Sequence, residues 1–134
     1  MKLFGLYLGG LANPTTANEP ANMAVLDKMV EYGLNYDRGL RVASLDGNPT
    51  FAGSCLRFLD TCAKRKIRVG LLPFNSTLTN SFDLEAARIA LEGIKPLDGH
   101  AAVDNVYLGH EVWRFLNRER RKQLLEMFAT VLPN

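Results

Sequence analysis

Strand-length apolar runs alternate with helix-period segments along this chain, and that alternation admits few folds. Lys2-Leu3-Phe4-Gly5-Leu6-Tyr7-Leu8 is an almost continuous apolar run, the pattern of a parallel strand covered on both faces. Gly9 and Gly10 end it, and Asn13-Pro14-Thr15-Thr16 reads as a loop. Pro20 suits the first turn of a helix whose apolar stripe is Met23, Leu26, Met29 and Val30, with Gly33 as its stop. Arg41 to Leu45 predicts a second strand, closed by the turn residues Asp46-Gly47-Asn48-Pro49. A helix is expected from about Ala52 to Lys64, with Cys55, Leu56, Leu59, Cys62 and Ala63 inward. Lys66 to Phe74 predicts a third strand. Ser81 is the expected N-cap of a helix running to about Glu92, with Asp83 and Glu85 in its first turn. Pro96 to Ala102 reads as a polar loop and Glu111 to Phe115 as a last strand. Asn117 then caps a final helix carrying Leu124, Leu125, Phe128 and Val131.

Strands alternating with helices imply βαβ units and a parallel sheet. The expected fold is α/β: an open, mostly parallel sheet of about four to five strands with helices on both faces, Rossmann-like or flavodoxin-like. Residues 1–134 read as a single domain, and that length holds a core without staples. No internal repeat, low-complexity stretch or long linker divides the sequence.

A net charge of +2 gives no argument for nucleic acid, and Arg118, Arg120, Arg121 and Lys122, broken by Glu119, read as a solvated helix face. No apolar run is long enough to cross a membrane, and the N-terminal run reads as a strand rather than a signal peptide. Cys55 and Cys62 lie seven residues apart on one expected helix. Their Cα atoms would then be about 10 Å apart, too far for a disulfide. Both read as buried thiols of a reducing compartment, so the expected location is cytoplasmic. A catalytic thiol would want a neighbouring base, and His100 and His110 are distant in sequence.

In an open parallel sheet, ligands bind beyond the carboxyl ends of the strands. Three candidate loops lie there, Gly9 to Glu19, Asp46 to Gly53 and Pro73 to Ser81, and the Asp46 loop is the most informative. Asp46 ends a strand, Gly47 opens a turn, and Gly53-Ser54 are expected to open the next helix, where backbone N–H groups can hold an anion or a sugar hydroxyl. The alternative is that Asp46 only caps the turn and Gly53 only relieves crowding. No Walker loop, dinucleotide fingerprint, nucleophile elbow or metal-type His/Cys cluster occurs, so no cofactor or metal is expected.

Val42-Ala43-Ser44-Leu45-Asp46-Gly47, then Gly53-Ser54, then Arg65-Lys66 before a strand with Gly70, resembles the nucleoside 2-deoxyribosyltransferase family. Tyr7 before the glycine bend at Gly9, and Asp104-Asn105-Val106-Tyr107, are similar to further parts of that family's pattern. The resemblance implies binding of a nucleoside or nucleotide and cleavage or transfer of an N-glycosidic bond. It implies that Tyr7 orients the nucleophile, that Asn105 is lent to the sugar by a neighbouring subunit, and that the protein is a homo-oligomer. Two positions depart from it. The family's nucleophilic glutamate falls on Arg57, a cation facing a developing positive charge, and its base-recognising aspartate falls on Phe51. Asp60, one turn beyond Arg57, and Asp46 are the candidate replacement carboxylates. Arg57 could hold a 5′-phosphate, or stand as a surface charge paired with Asp60. The departures equally suit an inactive relative that binds a nucleotide or assembles as an oligomer. A third reading takes four βα units as half of a glycosidase-like barrel with Glu111 as acid/base at a strand end. Trp113 and Phe115 alternate as core or subunit-interface residues.

Overall fold

A computed structural model of the chain describes residues 2, 5–6, 11–42, 49–73, 83–107 and 116–134. It is an α/β domain with a small open parallel sheet, consistent with a Rossmann-like alternation of strands and helices. The order is β1 (Gly5–Leu6), α1 (Glu19–Glu31), β2 (Tyr36–Arg41), α2 (Pro49–Lys64), β3 (Arg68–Leu72), α3 (Leu84–Ile94), β4 (Val103–Val106) and α4 (Arg118–Val131). Single 3-10 turns at Thr16–Asn18 and Lys95–Leu97 precede α1 and follow α3.

All neighbouring strands pair in parallel, and the sheet runs β1-β2-β3-β4 in sequence order. A doubly wound sheet reverses its order at a switch point; these four strands contain no reversal. Right-handed crossovers between successive neighbours carry their helices to one face. The side chains agree. Asp37, Leu40, Val42, Val69 and Leu71 are buried, whereas Tyr36, Arg38, Arg41, Arg68, Leu72 and Asn105 are partly or fully exposed. The core lies between that inward face and the helices, from Leu26 and Met29 of α1 through Cys55, Leu59 and Cys62 of α2 to Leu91, Ile94 and Leu124.

Helix boundaries follow local chemistry. Gly33, at φ +70°, accepts the left-handed conformation that ends α1. Asn117 caps α4 by accepting the Arg120 N–H at 2.9 Å, as its sequence position predicts. The cap of α3 is Asp83, which accepts the Glu85 N–H at 2.9 Å, rather than Ser81, which lies outside the described residues. Two strand expectations are corrected. The second strand begins earlier, at Tyr36–Arg41, while residues 43–45 of the expected Arg41 to Leu45 lie outside the described residues, and Val103–Val106 pairs with β3 directly after the expected polar loop. Glu111 to Phe115 falls outside the described residues.

A bulge between Asp37 and Leu40 carries the one buried carboxylate among the described residues. Asp37 Oδ1 accepts the Gly39 N–H at 2.8 Å, and Oδ2 has no hydrogen-bond partner. Burial pushes the Asp37 carboxyl above its ordinary 3.8, opposed by backbone N–H groups of Gly39 and Leu11. A carboxyl raised on folding binds more protons in the native state than in the unfolded one. Its contribution to stability is therefore full below the unfolded value and declines as pH rises from about 3.8 through the raised native value. Urea unfolding at a series of pH values should show that decline, and Asp37→Asn should remove it. Identical pH profiles for the two proteins would show that the buried carboxyl is not the source.

Candidate functional site

A cavity of about 300 Å³ opens between α1, α2 and the segment that leads into α1. That volume is at the lower end of small-molecule sites. The leading segment supplies Pro14, Thr15 and Thr16, α1 supplies Glu19, Asn22 and Met23, and α2 supplies Ser54, Arg57, Phe58, Asp60, Thr61 and Lys64. The wall on α2 follows helical spacing, since residues three and four apart share one face.

Each wall is fixed by contacts behind it. Asn22 is buried and clasps the leading segment, accepting the Ala12 N–H at 2.8 Å and donating to the Ala12 carbonyl at 3.1 Å. Ser54 is nearly buried, and its hydroxyl accepts from Arg57 Nη2 at 3.1 Å. Asp60 lies 3.2 Å from His100 Nε2, while His100 Nδ1 accepts the Ala102 N–H at 3.1 Å. That second bond assigns the proton to Nε2, so a neutral His100 donates to Asp60. Arg57 and Lys64 set two cations against the carboxylates of Glu19 and Asp60 around the opening. The thiols of Cys55 and Cys62 are buried and unpaired, and burial pushes both up to about 12. They have no thiolate for nucleophilic work at neutral pH.

The structure thus brings three expected site residues, Ser54, Arg57 and Asp60, onto one cavity wall. Thr15, Thr16 and Glu19 belong to the candidate loop Gly9 to Glu19, although none of the three was singled out as a site residue. Gly53 sits differently from expectation. Because α2 begins at Pro49, the N–H groups lacking intrahelical partners precede Gly53, and Gly53-Ser54 belong to the helix body. A methyl group at Gly53 would meet only Arg57 Nη1, at an ordinary 3.5 Å, so crowding does not require the glycine. Phe51 is partly buried and packs against the core. Asn105 lies elsewhere, on β4, where its Nδ2 donates to the Tyr36 hydroxyl at 3.0 Å. Tyr7, Gly9, Asp46 and Gly47 lie outside the described residues.

Among the described residues no group of three or more His, Cys, Asp or Glu side chains is placed to hold a metal ion. No described helix is long and apolar enough to cross a membrane. No family model, curated protein or solved structure matches this chain.

Proposed function

We propose that the cavity between α1 and α2 binds a nucleoside or nucleotide. The observation that carries this reading is the convergence of Ser54, Arg57 and Asp60 on one wall of a ligand-sized hollow. Asp60 accepts hydrogen bonds from sugar hydroxyls, as a carboxylate does in other ribose sites. Arg57 pairs with a 5′-phosphate through its guanidinium fork. Where the family would have a nucleophilic glutamate this chain has that guanidinium, so binding without turnover is the primary activity. If the N-glycosidic bond is cleaved or transferred, Asp60 or Asp46 is the carboxylate, with Tyr7 orienting it. The same reading makes the protein cytoplasmic, in keeping with its reduced thiols, and a homo-oligomer in which Asn105 serves a neighbour's sugar.

A panel of nucleosides and nucleoside monophosphates tests this, scored by thermal shift and by chromatography of free base. A thermal shift without released base supports the binder, and released base supports the enzyme. Arg57→Ala should weaken monophosphate binding by about tenfold or more, the worth of a charge-assisted hydrogen bond, and nucleoside binding less. Neither shift nor base across the panel would end the nucleoside reading.

The sequential strand order favours a second reading, in which the chain is half of a glycosidase-like barrel with Glu111 as the acid/base. Hydrolysis of aryl glycosides, abolished by Glu111→Gln, would establish it; inactivity toward such substrates would remove it.

A further inference from the structure

Asp60 stands on α2 with 64% of its side chain exposed, a setting in which a carboxylate ordinarily moves among rotamers. Here a residue 40 positions further along the chain holds it. His100 lies in the turn after Lys95–Leu97, and its ring is mostly buried, at 16% exposure. Its backbone is pinned on both sides. The His100 N–H donates to the Leu97 carbonyl at 3.2 Å, and the His100 carbonyl accepts the Val103 N–H at 2.8 Å. The Ala102 carbonyl accepts the Val69 N–H at 2.8 Å, which ties the same turn to β3. The ring is then oriented by the Ala102 N–H, which donates to Nδ1 at 3.1 Å. One donor remains on it, the Nε2 N–H, and that donor lies 3.2 Å from Asp60 Oδ1. Among the described residues no other side chain bonds to the Asp60 carboxylate. Its second oxygen, Oδ2, is left to accept from a ligand in the cavity that Asp60 lines.

A hydrogen bond to an exposed carboxylate adds little to the stability of a fold. Its consequence falls on the carboxylate instead. One oxygen is engaged and the rotamer is set before any ligand arrives, so that ordering need not accompany binding. We propose that His100 is a positioning residue of the α1–α2 cavity: it presents Asp60 to a sugar hydroxyl and makes the site select ribose over sugars that lack the 2′ and 3′ hydroxyls. This inference rests on the nucleoside or nucleotide reading of the cavity. A ligand without those hydroxyls displaces water from Asp60 and gives no hydrogen bond in return. His100 does not itself touch the ligand; it acts through the carboxylate.

The probes are AMP, GMP, CMP and UMP, titrated calorimetrically into the full chain beside their 2′,3′-dideoxy counterparts. The ribo form should bind about tenfold or more tightly than the dideoxy form, the worth of a hydrogen bond to a charged group. Two amide substitutions separate the two bonds of the ring, because Asn sets its carbonyl near the place of Nδ1 and Gln sets its amide nitrogen near that of Nε2. His100→Asn keeps an acceptor for Ala102 and removes the donor to Asp60. It should reduce the ribo-to-dideoxy ratio to about threefold or less by weakening the ribo form alone. His100→Gln keeps the donor and should preserve the ratio. The parent protein adds a measurement that needs no substitution. In its imidazole nitrogen-15 spectrum His100 should be the Nε2–H tautomer, with a resonance that moves more on binding the ribo form than the dideoxy form. Equal affinity for both sugars, a ratio that His100→Asn leaves unchanged or that His100→Gln also loses, or an Nδ1–H tautomer would each overturn the positioning role while sparing the nucleotide reading. No binding of any monophosphate would overturn both.

Discussion

Gly70→Ala should lower the stability of the domain by about 1–3 kcal/mol, and Gly70→Val by more, because the position is overpacked by a single added carbon. Three atoms close over this glycine. Asn105 Oδ1 at 2.8 Å and the Tyr36 hydroxyl at 3.0 Å are ends of side chains and can swing aside. The Arg38 carbonyl, also at 3.0 Å, is backbone in a paired strand and cannot move without shifting β2. The methyl would therefore break the 3.0 Å bond between Asn105 and Tyr36 and press on the ladder at the centre of the sheet. A double-mutant cycle separates the two contributions. Adding Asn105→Ala to Gly70→Ala should recover the part due to Asn105 and leave the part due to the Arg38 carbonyl and the Tyr36 hydroxyl. Urea denaturation with Gly70→Ala as stable as the parent would show that Tyr36 of β2 and Asn105 of β4 do not close over Gly70 as described.

The other large effect belongs to the core. Leu59 sits on the buried side of α2 with no solvent exposure, within the cluster that joins the helices to β2 and β3. Leu59→Ala should lose about 2–5 kcal/mol, the combined loss of apolar transfer and the cavity left behind. Against a total of about 5–15 kcal/mol for an ordinary domain, that is a large share. A domain of this size loses several degrees of Tm for each kcal/mol, on the order of 4 °C. The contrast is Leu125→Ala on α4, at 50% exposure, which should change stability by less than about 0.5 kcal/mol. Thermal melts of the two variants give the comparison, and equal losses would contradict the assigned burial.

The helices were more legible in the sequence than the strands, and the reason is physical. Helix periodicity, Pro20 near a start, Gly33 past an end and the Asn117 cap are local signals that survive in the fold. The strand expectations assumed continuous apolar runs, which suit sheets covered on both faces. Here one face carries Tyr36, Arg38 and Arg41 from β2 and Asn105 from β4, so those strands read as polar. Bulges between Asp37 and Leu40 and between Val69 and Gly70 also break simple alternation. For the same reason Val103–Val106, with its central Asp104 and Asn105, shows no apolar run to mark it as a strand. The cavity was legible along α2, where Ser54, Arg57 and Asp60 share a helical face, and in outline along the candidate loop Gly9 to Glu19. Glu19 and the two threonines reach it because α1 packs beside α2, and sequence spacing says nothing about distances between elements.

The Asn22 amide acts towards Ala12 as a partner strand would, giving and receiving one hydrogen bond. The rim formed by Pro14, Thr15 and Thr16 is thus held by a helix side chain, beside the Leu11 N–H that reaches Asp37 of β2. Docking of α1 and completion of the hollow are consequently one event. A chain whose first helix has not yet settled lacks the hollow as well.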